Sequence, residues 1–177
     1  MNIKEIITEE VVDEYQTIGK VNPIYGIESG ELRKHRLKLV NTPLTQFNVR
    51  YDGSKMMHEY FLYDKKTDKC VGTFAIQMQH RKFDKVLKPG IQAVIPHIGL
   101  ARRIQGQGVA TQIYTTFLRG GPWVFVTFAH SAAAAALWDR LATGDIINVY
   151  VDEEGNRIKK LQSDFGDRMI GPKDRFL

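Results

Sequence analysis

The run from Ile91 to Phe128 constrains the fold more than any other part of the chain. It begins IQAVIPHIGLA, a continuous apolar stretch that reads as a buried strand with a bulge or bend near Pro96, where a ladder donor is missing. Two glycines one residue apart follow in RRIQGQG, Arg102 to Gly108. Val109, Ala110, Ile113, Tyr114, Phe117 and Leu118 then recur at helical spacing, so one apolar stripe runs along a helix that Gly120 to Pro122 stops. WVFVTF, Trp123 to Phe128, is a second short apolar run. Strand, crossover helix and strand predict parallel neighbours with a right-handed connection.

The remaining segments predict a mixed sheet with helices around it. MNIKEII reads as a short strand, and TEEVVDEYQTI as a helix with Val11, Val12, Tyr15 and Ile18 on its apolar face. GELRKHRLKLVN is a second helical candidate through Leu32, Leu37 and Leu39. FNVRYDG, HEYFLYD and CVGTFAIQMQ are aromatic and β-branched strand candidates, the last two forming a hairpin around KKTDK. Ser131 is a good N-cap for AAAAALWDRLA, with Leu137, Trp138 and Leu141 as its packing face and Gly144 as a C-cap. INVYVDEEGNRIKKL reads as a closing hairpin around EEGN. SDFGDR contains D-F-G without the other kinase signatures, so it is expected to be a surface loop, and IGPKDRFL a tail that packs late or contacts a partner.

A length of 177 residues fits one domain spanning 1–177 with a sizeable core, and 43% hydrophobic with 25% charged residues excludes a disordered chain. The net charge of +5 permits an acidic partner without naming one. Its patches, LRKHRLK and HRKFDKVLK, read as solvated faces. A lone cysteine, Cys70, allows no internal disulfide and no thiolate zinc cluster, and no metal site is expected. The absence of a signal peptide or long apolar run predicts a cytoplasmic protein with no membrane partner.

The glycines decide what the junction holds. A dinucleotide turn requires a third glycine where Thr111 stands and an acidic residue about 20 positions later, which is missing. A P-loop requires a Lys that is missing too. A tight turn with no ligand remains open. So does an anion-binding loop, because the first-turn N–H groups of a helix point outward and two absent side chains let a phosphate approach.

Arg103-Ile104-Gln105-Gly106-Gln107-Gly108 matches the [QR]-x-x-G-x-[GA] loop of the GNAT superfamily of N-acetyltransferases, and S-x-x-A-x-x-L-W-x-x-L is similar to its N-x-x-A-x-x-L-Y-x-x-x-G-F pattern. The resemblance covers roughly residues 58 to 150. It implies an α/β (α+β) single-domain GNAT-like fold, with a mixed sheet of about six to seven strands, about four helices, and a splay between the IQAVIPHIGLA and WVFVTF strands. It further implies that acetyl-CoA, or another acyl-CoA, rests its pyrophosphate on N–H groups from Gln105 to Ala110, Val109 included. Its pantetheine would run along the splay, with contacts from Arg103 and Ser131.

Two positions depart from the family pattern. Gln92 stands where a carboxylate often serves as base, which leaves His97 and His130 as the titratable substitutes; both also fit hydrogen-bonded structural roles. Trp138 replaces the tyrosine that protonates the leaving thiolate, and Tyr114 points into its own packing stripe. The expected activity is acetyl transfer to a primary amine in a ternary complex. The acceptor is unknown, a protein or RNA-linked amine included, and a homodimer is compatible with it. The rival is a GNAT-like binding module that contacts a protein or nucleic acid, with CoA structural or absent.

Overall fold

The computed structural model describes residues 26–79, 81, 83–127, 132–159 and 166–177. The strand and helix expected before Ile18 lie outside them, as do His130 and Ser131. The described elements are α1 (Ile27–Arg33), β1 (Lys38–Val40), β2 (Phe47–Gly53), β3 (Met57–Asp64), β4 (Cys70–Met78), β5 (Gln92–Leu100), α2 (Val109–Gly120), β6 (Trp123–Thr127), α3 (Ala132–Leu141), β7 (Ile146–Val151), β8 (Arg157–Ile158) and β9 (Asp167–Pro172). The fold is mixed α+β, and among the described residues there are nine strands, more than the six or seven expected. Two compact units divide the chain: residues up to Gln77 with His97–Ile113, and Met78–Pro96 with Tyr114–Leu177. Strand β5 belongs to both units, which divide between Pro96 and His97.

In the first unit the strands follow the order β1-β2-β3-β4-β5. The β2–β3 and β3–β4 ladders are antiparallel, the latter with a register shift between Leu62 and Tyr63. Helix α1 is pinned to this sheet where the Tyr63 hydroxyl donates to the Gly30 carbonyl at 2.6 Å. Only glycine permits that approach, since a Cβ at Gly30 would lie 2.6 Å from Cys70 Sγ. The helix expected across Gly30 to Asn41 is corrected: it ends at Arg33, a single 3-10 turn follows, and Lys38–Val40 pairs with Val49–Tyr51. Leu37 is buried, but Leu32 and Leu39 are 71% and 57% exposed, so their helical spacing has no core to serve.

In the second unit the order is β5-β6-β9-β7-β8. The parallel β5–β6 ladder pairs Gln92 with Trp123, Ala93 with Val124 and Val94 with Phe125, and ends there although both strands continue. Val124, Val126, Val149, Val151 and Met169 pack with Phe83 and Val86 into one core. The C-terminal segment expected as loop and tail is in fact strand β9, buried at all six residues and paired with both β6 and β7. Burial between two ladders makes this strand, while its glycine and proline hide it from pattern reading. Gly171 is needed there, because a Cβ would meet Val124 Cγ1 at 2.7 Å.

Candidate functional site

The glycine loop lies wholly in the first unit. After Ala101, whose N–H bonds the Val71 carbonyl at 2.8 Å, the chain makes one 3-10 turn over Arg102–Ile104. The N–H groups of Ile104 and Gln105 close that turn on Ala101 and Arg102. The ladder of α2 begins with Gln112 N–H bonding the Gly108 carbonyl at 3.0 Å. Between these bonds, among the described residues, none uses the N–H of Gly106, Gln107 or Gly108, and a helix has no internal partner for the N–H groups of its first turn. Gly106 and Gly108 have φ of +70° and +77°, where a side chain is strained, and a Cβ on either would meet nothing within 4 Å. The glycines therefore serve the backbone conformation and leave clear space above it.

The flanking side chains keep that space clear. Gln105 Nε2 turns back to donate to the Leu100 carbonyl at 2.8 Å, and Gln107 Nε2 to the Arg103 carbonyl at 2.8 Å. Arg102 and Arg103 are exposed beside the loop. Arg103 lies near enough to Asp64 to help hold its carboxyl below the usual value, after the stronger effect of the Thr67 N–H bond. The result is a row of N–H groups from Gly106 to Ala110 beneath open space, with positive charge at its margin. That arrangement fits a phosphate or pyrophosphate.

His97 is also in the first unit, half-buried on β5 beyond the last residue that pairs with β6. Its Nε2 lies 3.0 Å from Gln77 Oε1, and burial pushes its pKa below the ordinary value. Gln77 was missed in the sequence: the alternation of β4 shows which face it takes, but only the register brings it to His97. Gln92 begins β5, is exposed, and sits inside the paired part of that strand opposite Trp123.

In the second unit Trp138 is 1% exposed and Tyr114 4%. Burial pushes the Tyr114 phenol up to about 12, opposed by an indole N–H that Trp138 donates to its hydroxyl. Tyr114 also packs edge-on against Phe125, with ring centroids 5.3 Å apart. The Arg168 guanidinium lies over the indole, 5.8 Å from its centroid, and pairs with Asp139 at 2.5 Å. Both rings are thus held in packing and hydrogen bonding.

No family model and no curated protein matches the sequence. Among solved structures the chain is similar to a spermidine N-acetyltransferase SpeG chimera from Vibrio cholerae and hSSAT, at 10% identity over 98% of this chain and 93% of that one, with a TM-score of 0.46. A second chimera of the same pair is 12% identical over 68% and 70%, with a TM-score of 0.41. The ribosomal-protein-S5-alanine acetyltransferase from Vibrio fischeri is 17% identical over 81% and 65%, with a TM-score of 0.33. All three are acetyltransferases by their descriptions. No described helix is long and apolar enough to cross a membrane.

Proposed function

We propose that this GNAT-like chain is an N-acetyltransferase that takes acetyl-CoA as donor and a primary amine as acceptor, and works in the cytoplasm. The observation that carries the reading is the pair of left-handed glycines, Gly106 and Gly108, with open space at both Cβ positions and unused N–H groups at the start of α2. Positive φ accounts for glycine at both positions; the open space over them and the N–H groups of Gly106, Gln107 and Gly108 that no described bond uses are what favour a pyrophosphate there. Ile104 and Gln105 contribute the turn rather than donors, and Arg103 adds charge at the rim. Ser131 remains a further proposed contact to the donor.

Acetyl-CoA supplies the thioester. The chain's part is to present a neutral amine to the carbonyl carbon, so that the C–N bond forms as the C–S bond breaks and the amine proton leaves. His97 is the proposed acceptor of that proton, since its lowered pKa keeps the ring neutral at pH 7. His130 is the second candidate. Trp138 and Tyr114 are not assigned to the leaving thiolate, because their polar atoms satisfy each other. Positioning of the two substrates therefore supplies much of the acceleration.

Thermal unfolding followed during an acetyl-CoA titration tests the reading. A ligand that binds only the folded chain must raise the melting point, and no shift at millimolar acetyl-CoA would sink it. Where a shift is seen, release of free CoA with a panel of simple amines separates a turning-over enzyme from a CoA-binding module.

A further inference from the structure

We propose that the turn between β3 and β4, through Lys65 and Lys66, holds the ribose 3′-phosphate of the donor, so that the chain tells acetyl-CoA from its 3′-dephospho form. This rests on the acetyl-CoA reading above and names the residues that would select the donor.

The fold brings this turn to the glycine loop, within the first unit. Strand β4 lies between β3 and β5 in the sheet, and Tyr63 of β3 pairs with Cys70 of β4. The next residue, Val71, accepts the N–H of Ala101 at 2.8 Å, and Ala101 directly follows β5 and precedes the loop. Turn and loop therefore leave the same end of three neighbouring strands. The charge of Arg103 is felt there too, since it adds to the lowering of the Asp64 carboxyl after the larger effect of the Thr67 N–H bond.

The turn spends its carboxylates and leaves its ammonium groups over. The Asp64 N–H bonds the Lys69 carbonyl at 2.9 Å, and the Asp68 N–H returns to the Asp64 carbonyl at 2.8 Å. Asp64 Oδ1 accepts the N–H groups of Lys66 and Thr67 at 2.9 and 2.8 Å and the Thr67 hydroxyl at 3.2 Å, so this carboxylate serves the turn itself. Asp68 pairs with Lys34, from the 3-10 turn after α1. Lys65 and Lys66 are exposed, and no ion pair among the described residues uses either ammonium.

The two kinds of phosphate in the donor call for different partners. A pyrophosphate lying on the first turn of α2 is met by N–H groups and the helix dipole. A ribose 3′-phosphate is a monoester with about 1.5 to 2 negative charges at neutral pH, and beyond the helix end it needs cations. Lysine suits it, because a compact charge on a flexible stem meets a phosphate without a fixed bidentate geometry. A free 3′-hydroxyl offers these ammonium groups no comparable partner.

Calorimetric titration of the full chain with acetyl-CoA and with acetyl-3′-dephospho-CoA tests this. The wild type is expected to bind acetyl-CoA roughly tenfold more tightly, the lower end for hydrogen bonds to charged groups. K65A/K66A is expected to bind the two donors nearly equally, with wild-type affinity for the dephospho form. K65E/K66E is expected to prefer the dephospho form. Both double variants alter exposed side chains, and their melting curves without ligand check that they fold. Equal affinity of the wild type for the two donors overturns the proposal, as does a preference that survives in K65A/K66A. Binding of neither donor would end the acetyl-CoA reading and this proposal together, whereas equal binding of both ends only this one.

Discussion

The glycine loop and the Trp138 environment both sit at motif positions of the GNAT-like pattern, yet they are built in opposite ways. Around Gly106 and Gly108 there is open space, left-handed backbone, and side chains folded away from the N–H groups. Around Trp138 the volume is filled, and the indole N–H has a buried partner in Tyr114. A site that must admit a ligand keeps donors unpaired and contacts few; a site that has become core satisfies its polar atoms internally. The difference supports the binding role proposed for the first and fits the second to stability.

Trp138→Ala is expected to break the second half of that contrast with the largest effect of any change here. Removing a fully buried indole costs about 3–5 kcal/mol, and the Tyr114 hydroxyl loses its donor as well. Trp138→Phe retains most of the apolar contact and is expected to cost about 1–3 kcal/mol, mainly from that unmade bond. Urea unfolding of both variants measures the difference. Acetyl-CoA is expected to stabilise Trp138→Phe as much as it does the wild type; loss of that stabilisation would return Trp138 to the donor site.

Gly106→Val with Gly108→Val is the reciprocal experiment. Each substitution forces a β-branched residue to positive φ, at about 1–2 kcal/mol apiece, and fills the space above the donors. The acetyl-CoA shift, worth about 2.7 kcal/mol at a hundred times Kd, is expected to vanish. Calorimetric titration at a temperature where the double variant is folded checks it. Unchanged affinity would reduce the loop to a turn.

The unequal legibility of these regions has a physical cause. Positive φ selects glycine whatever surrounds it, so RRIQGQG announces its backbone locally, and β5, α2 and β6 declare themselves through long apolar patterns. Strand β9 is made by neighbours on both sides: Asp167 and Arg168 are buried because they pair with Arg81 and Asp139, and nothing within DRMIGP says so. The Leu32, Leu37 and Leu39 spacing misled for the converse reason, since β1 takes its structure from β2. Gln92 and His97 lie five residues apart in one strand, and the end of the β5–β6 ladder at Val94, the burial of His97 and its contact with Gln77 distinguish their settings.

That last distinction is sharpened by paired alanine variants. Gln92→Ala is expected to leave turnover within about twofold of wild type, because an exposed residue in a closed part of the ladder can change with little consequence. His97→Ala is expected to lower kcat by roughly 10² or more. Equal losses in the two variants would mean that the strand position, and not the imidazole, matters.

The smallest expected effect is in the pH dependence of stability, and it separates groups by sign. Burial lowers the His97 pKa, so near and below about pH 6.5 the unfolded chain binds a proton that the folded chain refuses, and stability falls as pH falls. Burial instead raises Glu59 and Asp167, against the opposing Arg33 and Arg81. Above about pH 4 the folded chain therefore holds their protons longer than the unfolded chain does, and these two groups favour the folded state as pH falls. A melting curve series from pH 4 to 8 should show a loss on acidification that His97→Gln removes in the upper part of the range. The carboxylate contribution lies lower, and Asp167→Asn should alter it without touching the His97 step. A His97 variant that leaves the upper limb unchanged would show that the ring titrates normally in the folded chain.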